Sequence, residues 1–240
     1  MLYLIGLGLN LNGISKEGLE IAKRCKKVYL ENYTVDFPYT EGELSEKLGL
    51  KKIFSADREK IENFELVDEA KRNDVAILVY GSPLTATTHI SLVTEAKECR
   101  VKCKIIHSAS ILDAVARTGL QLYKFGKITS MPAWKKSFEP TSFMEIVKEN
   151  QSINAHSLIL ADIGLDFQDA LEQLKKSAEE HKIKLSKILV CQQLGTSKEK
   201  IFYMSMEELE EYSDIRKPYC LIIPGKLHFV EQEFLKRFER

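Results

Sequence analysis

The chain has 240 residues, enough to bury a substantial core as one large or two ordinary domains, and two are expected here. Its 35 basic and 35 acidic side chains cancel, which excludes a strong overall field that would draw it to nucleic acid or to a membrane surface. No apolar run approaches the roughly 20 residues that span a bilayer, Met1 to Ile5 lacks the flank of a signal peptide, and the five cysteines form no Cys-x-x-Cys pair. The expectation is a cytoplasmic protein with reduced thiols and no metal cluster.

Leu2 to Ile5 reads as a short strand ending in Gly6-Leu7-Gly8-Leu9, and the first helix starts only at Ser15, a natural cap. This begins like a dinucleotide fingerprint and does not finish as one. The third glycine would fall at Leu11, and the helix begins too late to aim its N-terminus at a pyrophosphate. Glu31, at the end of the strand Val28 to Leu30, imitates the ribose-binding acid of that fold and is discounted for the same reason.

Asn32 to Gly42 reads as a loop, Glu43 to Leu48 as a short helix and Lys52 to Phe54 as a brief strand. Residues 57 to 72 fit one charged amphipathic helix with Ile61, Phe64, Val67 and Ala70 inward. The apolar, largely β-branched run Val75 to Val79 is the kind that a strand buried on both faces requires. It stops at Tyr80-Gly81-Ser82-Pro83-Leu84-Thr85-Ala86-Thr87-Thr88-His89, and a helix follows with Ile90, Val93 and Ala96 on one face. Gly81 permits a sharp turn, Pro83 forbids further ladder, and the hydroxyls supply directional hydrogen bonds. In an open parallel sheet, such loops at the carboxyl ends of strands hold ligands; the plain alternative is a capped strand-to-helix connection.

The strand Lys104 to His107 and the small residues Ser108-Ala109-Ser110 complete an α/β domain, residues 1–109, with a mostly parallel sheet. Residues 110–240 read as a second, α+β domain with a mixed sheet. Its strands are Ile128 to Met131, Leu158 to Asp162, Lys187 to Cys191, Lys200 to Met204 and Tyr219 to Ile223, with capping boxes expected at Ser142 to Glu145 and Ser205 to Glu208.

Four segments carry a resemblance over nearly the whole chain: Ile5 to Leu9; Gly81 to His89; His107 to Ile111 with Thr118 to Lys127; and Ile223-Pro224-Gly225-Lys226-Leu227-His228. They resemble the tetrapyrrole methylase superfamily of S-adenosylmethionine methyltransferases and, within it, the diphthine synthases. The first motif marks only the superfamily; Ala-Thr-Thr-His, Tyr-Lys-Phe-Gly-Lys and Pro-Gly-Lys-Leu-His are much more specific.

The resemblance implies a homodimer of two-domain chains with S-adenosyl-L-methionine in the cleft between domains. Carried over by position, the cofactor contacts are Leu9, Ser82, Thr85, Ser110, Ile111 and Ala161, with Leu194 and Tyr219 in less similar surroundings. The implied reaction methylates the amino group of a modified histidine on translation elongation factor 2. No general base is assigned: His89, His107 and His228 lie in the similar segments, and histidines there are more often structural. Tyr33, Trp134 and Phe138 are aromatic candidates for a quaternary ammonium product.

One departure stands out. The family pattern has Gly-Asp-Pro where this chain has Gly81-Ser82-Pro83, so a hydroxyl replaces a carboxylate. That change permits an impaired protein that docks on the elongation factor; among enzymes the alternative is a methylase of another substrate, such as a precorrin. A nicotinamide oxidoreductase is the naive reading of Gly6-x-Gly8.

Overall fold

The computed structural model describes residues 1–212 and 214–239. The chain divides into two compact units, residues 1–112 and 113–240. In the first, β1 (Leu2–Gly6), β2 (Lys27–Glu31), β3 (Phe54–Ala56), β4 (Val75–Val79) and β5 (Cys103–Ile106) form a wholly parallel sheet in the order β3-β2-β4-β1-β5. Alternate residues feed two cores. Tyr3, Ile5, Val28, Leu30, Ala76 and Leu78 pack under α1 (Lys16–Arg24) and α2 (Glu41–Leu48). Leu2, Leu4, Tyr29, Val75, Ile77 and Val79 pack under α3 (Arg58–Glu62), α4 (Glu65–Ala70) and α5 (Ile90–Glu98). With helices on both faces, the central strands must be apolar at every position, and β1 and β4 are buried throughout.

The strand order places a switch point between β1 and β4. The chain leaves β1 toward β2 on one side and leaves β4 toward β5 on the other, so their carboxyl ends open a crevice that no crossover covers.

Two local expectations are corrected. Residues 57 to 72 are not one helix: Phe64 takes a left-handed conformation, φ 58°, which breaks the ladder between α3 and α4. In the helix after β4, Leu92 and Ala96 are the buried positions, whereas Ile90 is 57% exposed.

After the short α6 (Ile111–Ala114), the second unit builds β6 (Thr129–Met131), α7 (Phe143–Ser152), β7 (Ser157–Ala161), α8 (Phe167–Glu180), β8 (Lys187–Gln192), β9 (Lys200–Ser205), α9 (Met206–Glu210), β10 (Tyr219–Ile223) and α10 (Phe229–Leu235). The sheet order is β6-β7-β10-β8-β9, with only the β6–β7 pair parallel. Ile159, Ile188, Val190, Leu221 and Ile223 share one face with α7, α8 and α9. Leu158, Leu189, Cys191, Cys220 and Ile222 alternate with them and are equally buried.

Ser205 forms its capping box with Glu208 as expected. Ser142 does not: its backbone is already helical, so its side chain makes no cap hydrogen bond.

One buried carboxylate ties together Tyr123 to Lys127 and Pro224 to His228, the two specific strings of this unit. Glu231, with no solvent exposure, accepts from the Gln121 N–H (2.9 Å) and His156 Nε2 (3.1 Å) on Oε1, and from Lys124 Nζ (2.5 Å) and the His228 N–H (2.7 Å) on Oε2. The Gly225 N–H donates to His156 Nδ1 at 2.9 Å, so the imidazole is the neutral Nε2–H tautomer, and burial holds its pKa below the ordinary value. Burial alone would raise the Glu231 carboxyl; the His228 N–H, Lys124, the Gln121 N–H and His156 together outweigh it and bring it down to about 2.

Glu231→Gln removes the charge that Lys124 needs, and a loss of about 2–4 kcal/mol is expected. Since the folded carboxyl is depressed, its contribution is present above about 4.5, the ordinary value, and is lost as pH falls toward 2. Thermal melts across that window should lose part of their acid slope in the variant. Melts that match the wild type at every pH would show the carboxylate to be idle.

Candidate functional site

Three loops meet at the switch point of the first unit, and backbone brings them together. Beyond β1 the Leu7 N–H still donates to Val79 O (2.8 Å), extending the ladder by one residue. Gly8 and Gly81 then form an isolated bridge, Gly8 N–H to Gly81 O at 3.1 Å and Gly81 N–H to Gly8 O at 2.9 Å. Both have positive φ, 67° and 70°, a turn that side chains resist. The third loop comes from β5, where Ser108 Oγ donates to Gly13 O at 2.8 Å. Gly6 makes the contact possible: a Cβ there would lie 2.7 Å from Gly81 O and 2.9 Å from Ser108 Cβ.

Leu9, Ser82, Thr85 and Ser110, named from the sequence, therefore lie in loops at the carboxyl ends of three neighbouring strands, and Ile111 opens the helix that follows the third. Ser82 is 7% exposed and its hydroxyl lies 3.2 Å from His107 Nδ1; its carbonyl accepts from the Thr85 N–H at 3.0 Å. Ser110 Oγ accepts from the Leu112 N–H at the start of α6, which Ile111 opens. Residues 7–15, 80–89 and 107–111 contain no Lys, Arg, Asp or Glu. This floor of backbone amides, hydroxyls and apolar side chains holds no charged side chain and would fix a ligand by directional hydrogen bonds.

Each histidine of the similar segments has a structural employment. His89 is fully buried; its Nδ1–H donates to Pro83 O at 3.2 Å, and burial lowers its pKa while Glu31 pulls the other way, so it stands neutral. His107 pairs with Ser82, and His228 caps α10. Glu31 is no ribose ligand. Its carboxylate accepts from the Tyr33 and Thr34 N–H groups (2.7 and 2.9 Å) and from the Thr34 hydroxyl (2.6 Å), closing its own loop.

In the second unit Ala161, Leu194 and Tyr219 come to one end of the sheet. The antiparallel pairings put the end of β7, the end of β8 and the start of β10 side by side, with Tyr219 opposite Gln192. The Tyr219 hydroxyl is spent on Leu165 O (3.1 Å) and Asp166 O (3.2 Å), and its ring packs on Phe167. Leu194 is 3% exposed.

Among the aromatic candidates, Tyr33 sets its edge against His89 at 6.2 Å. Trp134 donates from Nε1 to Pro140 O, and Phe138 is exposed in a turn closed by backbone pairing with Lys135.

Sequence reasoning missed Ala86 and Gln193, which hold φ of 54° and 46° beside Thr85 and Leu194. Left-handed non-glycine residues of this kind concentrate at binding loops, and neither residue type signals it in the sequence. It missed Tyr80 as well, whose hydroxyl donates to Leu9 O at 3.0 Å.

The sequence profile of the tetrapyrrole (corrin/porphyrin) methylases matches residues 1–210, and the chain belongs to that family: it is a methyltransferase. Within the family it belongs with the diphthine synthases. The diphthine synthase of Methanocaldococcus jannaschii is 38% identical over 98% of both chains. The diphthine methyl ester synthase of Schizosaccharomyces pombe is 34% identical over 99% of this chain and 94% of its own. A crystal structure of a diphthine synthase superposes with a TM-score of 0.89 at 32% identity, covering 99% of this chain and 95% of that one.

Gly6→Ala should drive the β4 and β5 loops off β1, lowering the melting temperature and exposing the amides of Gly8 and Gly81 to hydrogen exchange. A variant that melts and exchanges like the wild type would show that the loops are not held together by this close approach.

Proposed function

We propose that the chain transfers methyl groups from S-adenosyl-L-methionine to the amino group of the modified histidine on translation elongation factor 2, a step of diphthamide biosynthesis. The observation that carries this reading is the floor of uncharged loops at the switch point, in a chain similar along its whole length to diphthine synthases. An oxidoreductase reading fails on the same floor, which has neither the third glycine nor a helix start for a pyrophosphate. A precorrin acceptor is not favoured by the relatives.

The bound sulfonium would supply an already activated methyl group. Transfer to the acceptor would be an in-line displacement, the N–C bond forming as the S–C bond breaks, and the acceptor nitrogen would lose its proton to water before each further methyl group. The protein's part is to hold, align and dry the reactants. Backbone of Leu9, of Ser82 to Thr85 and of Ser110 to Ile111 would hold the cofactor; Ala161, Leu194 and Tyr219 are the contacts that the resemblance adds. Neutral His89 keeps the 82–85 turn in place through Pro83 O. The working form is a homodimer in the cytoplasm.

Calorimetry with S-adenosylhomocysteine and mass analysis of elongation factor 2 carrying the amino-containing precursor test the reading together. Stepwise methyl additions on that histidine are expected, and hydroxylamine-labile methyl would identify a methyl ester. Binding without transfer to the factor, or transfer to a tetrapyrrole instead, would overturn the acceptor; absence of binding heat would leave a docking protein.

Gly81→Val forbids the left-handed turn, so cofactor affinity should fall tenfold or more in a folded variant. Unchanged affinity would move the site elsewhere. Ser82→Asp restores the family's carboxylate and should tighten binding by roughly tenfold, since a charge-assisted hydrogen bond is stronger than a neutral one by about 1–1.5 kcal/mol. Looser binding would refute a carboxylate contact with the cofactor at this position.

A further inference from the structure

The bridge between Gly8 and Gly81 leaves the next peptide of the first loop, between Leu9 and Asn10, to be fixed by something else. Tyr80 does it. It is the residue immediately before Gly81, and its hydroxyl reaches back to donate to Leu9 O at 3.0 Å. Three consecutive ties, Gly81 N–H, Gly81 O and Tyr80 Oη, thus run from one loop to the other. A trans peptide is planar with its C=O and N–H opposed, so capturing the Leu9 carbonyl sets the direction of the whole 9–10 peptide unit.

The ring that delivers the hydroxyl is itself wedged. Phe37 and Tyr39, from the loop after β2, contact it at centroid distances of 5.4 and 6.3 Å and contact each other at 5.5 Å. Three mutually touching rings leave no space between them for a cation, so the group is a buttress and not a cage for a quaternary ammonium. Burial raises the Tyr80 phenol above its ordinary value, which keeps it a donor at any working pH.

We propose that Tyr80 is a positioning residue of the cofactor site: its hydroxyl holds the Leu9–Asn10 peptide in the orientation that the methyl donor binds, and the Phe37–Tyr39 pair holds Tyr80. This rests on the reading that the loops after β1 and β4 bind S-adenosylmethionine. Tyr80 touches neither the reacting nitrogen nor the methyl group in this account, so it acts on binding and not on transfer.

The test is Tyr80→Phe, which keeps the ring and removes the donor, compared with Tyr29→Phe. Tyr29 loses a hydrogen bond to Glu69 Oε2 (2.6 Å) in the same sheet, on the face covered by α3 and α4. For Tyr80→Phe, the Kd for S-adenosylhomocysteine and the KM for S-adenosylmethionine should both rise about threefold to tenfold, the size of one neutral hydrogen bond, with kcat unchanged. Tyr29→Phe should lower the melting temperature and leave Kd and KM alone. Wild-type protein that binds S-adenosylhomocysteine while Tyr80→Phe binds it equally well, whatever its melting temperature, overturns this inference alone. Wild-type protein that does not bind it overturns the cofactor assignment and this inference together.

Discussion

A carbonyl oxygen and a missing side chain set the terms for the first unit. Gly81 O lies so close to Gly6 that a single methyl group at position 6 would collide with it, and with Ser108 on the other side. That proximity lets two parallel strands, once past their ladder, turn toward each other and pair through Gly8 and Gly81. Main chain is therefore brought to the floor of the crevice at the switch point, beside the hydroxyls of Ser82 and Ser110. Main-chain amides are fixed donors with no rotamers to order on binding, which is the preorganisation a weakly charged cofactor requires.

The second unit solves a different problem. Its mixed sheet is apolar on both faces, and the connection from 115 to 127 must be anchored against a helix, α10, that arrives at the far end of the chain. A charge anchors it. Glu231 is buried with four donors around it, and neutral His156 relays the contact to Gly225. The glycines of these strings follow from the same crowding: a Cβ on Gly126 would meet Asn150 Oδ1 at 2.1 Å, and one on Gly225 would meet Asn154 O and Ala155 O at 2.5 Å. The strings that mark the family most specifically in this unit are joints of the scaffold, and buried charge makes such joints unforgiving of substitution.

The histidines of the similar segments are engaged with their neighbours, His89 with Pro83 O, His107 with Ser82 and His228 with the start of α10. Methyl transfer from a sulfonium needs alignment more than acid or base, so polar side chains near the loops can be committed to holding backbone, as His89 holds Pro83 and Tyr80 holds Leu9.

Continuous apolar runs made β1, β4 and β10 legible as buried strands, because a strand covered on both faces tolerates no polar position. Ser15 and Ser205 announced their helices since an extended residue with a hydroxyl satisfies orphan N–H groups locally. The loops at Gly8 and Gly81 were equally visible, for only glycine and proline write backbone requirements into the sequence.

Strand order was settled by packing across the sheet, and so was the switch point that it creates. The left-handed turns at Phe64, Ala86 and Gln193 are imposed by surroundings on residues with no preference for them. The partners of Glu231 and of the Tyr80 hydroxyl lie between 71 and 110 residues away along the chain, except His228. Local pattern determined which segments form strands, helices and turns. Long-range contact alone decided which buried polar atoms found each other, because a hydrogen bond depends on distance in space and the chain carries no local mark of it.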